Sequence, residues 1–145
     1  SVPILYELGL EAALEWLAEH VQAKYGLPVS IRIEGPPGVM GDEARALLFK
    51  TVRELLMNVI KHAQAKRTEL RIYNSSEEVL ITVEDDGIGF MAGAEELLPG
   101  KSGGFGLFSV RERLKHAGGS MNIESAPGRG TRVTIRMPIP SEDSQ

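Results

Sequence analysis

Four short segments alternate apolar and polar residues, and they fall in two close pairs. TELRIYN, from Thr68, and EVLITVED, from Glu78, have Asn74, Ser75 and Ser76 marking the loop between them. SMNIESA and TRVTIRMP, the latter from Thr131, flank a PGRG turn. Period-two alternation marks strands with one buried face, and links this short lead to hairpins. A chain carrying two such hairpins must bury one face of a largely antiparallel sheet under something else.

Apolar residues at helical spacing supply the cover. Leu10, Ala13, Leu14, Leu17 and Val21 give one buried face to a helix from about Leu10 to Tyr25. Gly26 ends it as a C-cap, with Pro28 as a breaker. VSIRIE, Val29 to Glu34, reads as a further strand, followed by a stiff GPPG turn. Asp42 is placed to cap a second helix that runs to about Ala63. Gly106 to Ala117 reads as a third, ended by Gly118 and Gly119, whereas Gly87 to Gly104 carry no clean period. The expected fold is α/β: a two-layer sandwich with a mixed, mostly antiparallel sheet and three helices on one face. Residues 1–140 read as one domain and 141–145 as a polar tail.

Composition narrows the function. The net charge is −4 with both signs interspersed, so no basic patch points to nucleic acid. Cysteine is absent and the three histidines are scattered, which removes thiolate and zinc-cluster chemistry. No apolar run approaches the roughly 20 residues that span a bilayer. The chain opens at Ser1, and SVPILYEL reads as a lead-in from an upstream segment of a longer protein.

The second helix carries an unusual line of residues. In RELLMNVIKHA, Glu54, Asn58 and Lys61 recur at helical spacing and share a side. A solvated charged face has the same look. Asparagine, however, is a poor helix-interior residue, its amide oxygen can ligate Mg²⁺, and lysine suits phosphate. EDDGIGF leaves the sheet directly after a strand, so Asp85 and Asp86 sit beside Gly87 and Gly89. That is either an ordinary Asp–Gly turn or a carboxylate pinned to accept from a ligand amine. GKSGGFGLFSVRERL places Gly100, Gly103, Gly104 and Gly106 before a helix whose Leu107, Val110 and Leu114 point inward. Glycine-rich backbone and a helix start favour an anion, with Lys101 as a counter-charge. The order of residues is not that of a Walker A loop.

In this order the segments resemble the catalytic ATP-binding domain of bacterial sensor histidine kinases, within the Bergerat-fold ATPases. The closest likeness is to the subgroup that pairs with LuxR-like response regulators. RELLMNVIKHA resembles the N box, DDGIGF the G1 box, GGFGLFSVRERL the G2 box and GRGT the final glycine–threonine element. The resemblance implies roles. Asn58 would ligate Mg²⁺ between the phosphates, with Glu54 supporting a metal water or polarising the γ-phosphate end. Lys61 would contact a phosphate, so Glu54 and Lys61 are the catalytic candidates. Asp85 would accept from the adenine amine, backed by Thr131, with Gly87 and Gly89 giving the ring room. Gly104, Gly106 and the helix opening at Leu107 would face the phosphates, and Met91 to Gly103 would form a short ATP lid.

The same subgroup places an acid directly after its phosphoacceptor histidine. Here His20 precedes Val21, His62 precedes Ala63, and His116 precedes Ala117. The acceptor is therefore expected on a histidine-bearing dimerisation domain of the same parent protein, with onward transfer to a LuxR-like response regulator. His62 reads as a surface or packing residue. The expected setting is cytoplasmic, with no direct nucleic-acid or membrane contact by this domain. The rival functions are an anti-sigma-factor-like serine kinase and a non-catalytic nucleotide-binding module.

Overall fold

A computed structural model describes residues 3–91 and 106–140. In chain order these form α1 (Pro3–Leu8), α2 (Leu10–Tyr25), β1 (Val29–Glu34), α3 (Asp42–Asn58) with a π-helical turn (Val59–Ala63), β2 (Thr68–Asn74), β3 (Glu78–Asp85), α4 (Leu107–His116), β4 (Ser120–Ser125) and β5 (Thr131–Pro138). The strands make one five-stranded sheet in the order β1-β2-β3-β5-β4. Only β1 and β2 pair in parallel, because α3 carries the chain back across the sheet between them. The other pairs are antiparallel, and the helices cover one face. Lys101, Gly104, lid residues 92–103 and the tail 141–145 lie outside the described residues.

Period two decides which side chains meet the helices. β2 buries Leu70 and Ile72, β3 buries Val79, Ile81 and Val83, and β5 buries Val133, Ile135 and Met137. Leu14 of α2, Leu48 and Leu56 of α3, and Leu114 of α4 complete the same core. Each fully buried side chain of this size contributes about 1.5–3 kcal/mol. The opposite face of the sheet is solvated and carries ion pairs such as Arg132–Glu84 and Arg136–Glu78.

Three local features differ from the sequence reading. The opening segment is a helix, α1, with Pro3 at its first position and Leu5 buried; proline's fixed φ suits that position. The N-cap of α3 is Gly41, and Asp42 is the first helical residue, ion-paired with Arg45. A carboxylate in the first turn is still favoured by the helix dipole. Finally, α3 does not run regularly to Ala63. It widens into a π turn at Val59 and ends at Gln64 with φ 52°.

Candidate functional site

The polar residues of the site grow out of the hydrophobic rows. On β3 the inward row Val79, Ile81, Val83 continues to Asp85. Strand register sets Asp85 opposite Thr68 of β2 on one side and Thr131 of β5 on the other, and Thr131 opposite Ser125 of β4. The sheet therefore ends in a polar rung that runs across four strands. Asp85 is only 7% exposed. Its Oδ1 accepts the Gly87 amide at 2.8 Å. Burial pushes its carboxyl above the ordinary value, with Asp86 and Glu84 adding to the rise and the Gly87 and Thr131 amides opposing it. A buried carboxylate gains by accepting from a ligand donor.

Hydroxyl chemistry at the rung follows from counting protons. Ser125 Oγ accepts the Phe90 amide at 2.9 Å and donates to the Gly130 carbonyl at 2.9 Å. Its one proton is then committed. The 2.8 Å contact between Ser125 Oγ and Thr131 Oγ1 is a bond that Thr131 donates, leaving the Thr131 oxygen as an acceptor.

The turn after β3 is sewn to its surroundings through backbone. Ile88 donates to the Ala63 carbonyl at 2.8 Å and accepts from Gly128 at 2.7 Å. A Cβ on Gly87 would collide with the Ala63 carbonyl oxygen, and one on Gly89, already at φ +66°, with that of Ala126. Asp86 points the other way. Its Oδ1 accepts the amides of Lys66 at 2.8 Å and Arg67 at 3.1 Å, and these bonds hold its carboxyl below the ordinary value.

Between this turn and the helices lies a cavity of about 250 Å³. Val83, Asp85, Thr131 and Val133 form its floor; Ile88, Gly89 and Phe90 form one side. Leu55, Asn58, Val59, His62 and Ala63 form the other, and Leu107 closes the end. The wall is mostly apolar with a few convergent polar groups, as small-molecule sites are.

Of the residues expected from the sequence, Asn58, Asp85, Gly89, Leu107 and Thr131 line this cavity, and Gly87 shapes it from behind. Glu54, Lys61 and Gly106 are not on its wall. Gly106, at φ +75°, is the N-cap residue of α4. Lys61 is exposed, and His62 lines the cavity in its place. At helical spacing the position four after Asn58 lies nearer its side of the helix than the position three after it, and the π turn, whose i→i+5 bonds rotate the chain less per residue, carries the latter further away. His62, which the sequence suggests as a surface or packing residue, lines the cavity, as do Ile88 and Phe90, for which the sequence suggests no role. GIGF held a usable signal, since apolar residues between glycines in a turn need a surface to cover. Glu54 instead meets Arg113 of α4, whose Nη2 donates to Oε2 at 2.7 Å.

Residues 43–141 match the model of the family described as histidine kinase-, DNA gyrase B- and HSP90-like ATPases. A sensor-like histidine kinase of Chloroflexus aurantiacus is 34% identical over 144 residues, 96% of this chain and 24% of that protein. The oxygen sensor histidine kinase NreB of Staphylococcus carnosus is 31% identical over 135 residues, 93% of this chain and 38% of that protein. The chain thus spans well under half the length of these relatives. The histidine kinase domain of the blue-light activated kinase of Erythrobacter litoralis superposes with a TM-score of 0.67 at 25% identity, covering 89% of this chain and 64% of that one.

Proposed function

Because the chain belongs to the histidine kinase-, DNA gyrase B- and HSP90-like ATPase family, we propose that it is the catalytic ATP-binding domain of a sensor histidine kinase. The observation that carries this reading is the polar rung opening into an apolar cavity. Asp85 offers a carboxylate oxygen to the exocyclic amine of adenine, and Thr131 offers a second acceptor. The apolar walls, Val83, Val133, Ile88 and Phe90, cover the two faces of a flat ring.

In this reading the triphosphate runs from the cavity toward Asn58 and the start of α4. The donor set fits Mg²⁺. Among the described residues no group of three or more acidic, histidine or cysteine side chains gathers to hold a metal. Asn58 contributes one hard amide oxygen at the cavity, which suits an ion that takes most of its ligands from phosphate and water. The ion supplies charge neutralisation on the phosphates when bound. Glu54 lies one turn before Asn58, at the phosphoryl end, and accepts hydrogen bonds there. Lys61 adds positive charge from the helix edge.

The reaction is transfer of the γ-phosphoryl group to an imidazole nitrogen of a separate dimerisation domain. A P–N bond forms, the bond to the β-phosphate oxygen breaks, and ADP leaves with the electron pair. The imidazole proton passes to a neighbouring base. Most of the catalysis lies in placement and charge neutralisation. The dimerisation domain of the parent protein and a LuxR-like response regulator are the proposed partners, in the cytoplasm. No helix among the described residues is long and apolar enough to cross a membrane.

Calorimetric titration with ATP, with and without Mg²⁺, tests the site. Saturable binding is expected, weakened by Asp85→Asn in both conditions and by Asn58→Ala chiefly when Mg²⁺ is present. Absence of binding at millimolar nucleotide to folded protein would refute the reading. Transfer to a supplied dimerisation domain should give an acid-labile phosphoramidate; an acid-stable product would identify a serine kinase instead.

A further inference from the structure

Glu54 and Arg113 lie 59 positions apart and form the ion pair that ties α3 to α4. Both side chains are partly exposed, 33% and 40% respectively, and ion pairs at such exposure add little to stability. What the pair supplies is geometry. The contact is a single bond from Nη2 to Oε2, and the Nε of Arg113 is buried with no hydrogen-bond partner. The guanidinium therefore grips one oxygen of Glu54 and leaves Oε1 for another donor. The two helices also share the cavity. Asn58, one turn after Glu54, lines it from α3, and Leu107 lines it from the first residue of α4.

We propose that Arg113 is a positioning residue for phosphoryl transfer, holding Glu54 by Oε2 so that Oε1 faces the reacting end of the triphosphate. This rests on the function proposed above. A glutamate on a solvent-facing helix flank otherwise samples several rotamers, and catalytic groups lose rate steeply when poorly held. Lysine in place of Arg113 keeps a charge and one donor, which is all that the single-point contact uses, though without the planar fork.

The test is transfer of labelled γ-phosphate from ATP to the dimerisation domain of the parent protein, supplied separately, alongside the Kd for Mg-ATP. The variants are Arg113→Ala, Arg113→Gln, Arg113→Lys, Glu54→Gln and the double variant Glu54→Gln/Arg113→Gln. Arg113→Ala and Arg113→Gln should slow transfer by about tenfold or more, with Kd changing by less than about threefold. Arg113→Lys should recover most of the rate. The double variant should be no slower than Glu54→Gln alone, because Arg113 acts through that carboxylate. Arg113→Gln keeps a long side chain on α4 and serves if the alanine variant is poorly folded. Wild-type rates in Arg113→Gln, or a loss that adds in full to that of Glu54→Gln, overturn the proposal. A wild-type chain that binds Mg-ATP yet transfers nothing overturns the kinase reading first, and the positioning role with it.

Discussion

Asp85 and Thr131 are direct cross-strand partners, so the buried carboxylate and the hydroxyl beside it are placed by β3–β5 register rather than by a loop. The row that delivers Asp85 to the cavity is the row that builds the core. The polar end of the cavity begins where hydrophobic alternation is broken by one acid.

That acid costs stability. The Asp85 carboxyl titrates above its ordinary value of 3.8 in the folded chain, chiefly through burial. Below 3.8 both folded and unfolded chains hold the proton and nothing is lost. As pH rises through the folded value, the unfolded chain has already released the proton, and stability falls to a lower plateau. Asp85→Asn should therefore unfold at a higher temperature than wild type at pH 7, with the gain vanishing at about pH 3. The same variant should weaken ATP binding by about tenfold or more, as loss of a hydrogen bond to a charged group does. Thermal melts at both pH values and one titration check both halves.

Asp86 has the opposite linkage. Two backbone amides hold its carboxyl below 3.8, so its stabilisation is present above that value and fades as pH falls through the folded value. Asp86→Ala should cost about 1 kcal/mol near neutrality, as loss of comparable side-chain caps does. The difference from wild type should shrink in acid. Denaturant unfolding at two pH values measures it.

Gly87→Ala should be far worse than its size suggests. The added carbon meets the Ala63 carbonyl, the acceptor of the Ile88 amide. Separating the two strips a bond that joins the β3 turn to the π turn. A loss of about 2 kcal/mol or more is expected, together with loss of nucleotide binding; alanine tolerated with wild-type stability would contradict the packing described.

His62 and Lys61 should separate by ligand. His62→Ala removes part of the cavity wall and should weaken adenosine and ATP alike, by several-fold, about 1 kcal/mol. Lys61→Ala should leave adenosine untouched and weaken ATP, because an exposed lysine serves phosphate charge alone. Competition binding with the two ligands resolves them.

Much of this was legible in the sequence, for identifiable reasons. Alternation in TELRIYN and EVLITVED places β2 and β3, and in the structure the inward row of β3 runs on to Asp85. Helical spacing in α2 and the glycine after it fixed both of its ends. The π turn was not legible. VIKHA has no composition that separates a wide turn from a regular one, and the turn ends at Ala63, whose carbonyl accepts from Ile88, 25 residues on. His62, four after Asn58, lines the cavity, and Lys61, three after it, does not. The Glu54–Arg113 pair was equally hidden, since it depends on how α4 settles against α3. α1 escaped notice because six residues are too few for periodicity to register.

The polar rung also says where this fold can vary. Its members, Thr68, Asp85, Thr131 and Ser125, belong to four strands and are aligned by pairing alone. Loops remote from the rung can lengthen or shorten without moving any of them, whereas the turn after β3 is held by the close packing of Gly87 and Gly89. A one-residue insertion inside β3 or β5 would turn the rest of that strand to the wrong face and out of register with its partners. Redesigning the pocket for a base with a carbonyl in place of an amine therefore calls for reversing donors and acceptors along one line of the sheet, with the surrounding loops left as they are.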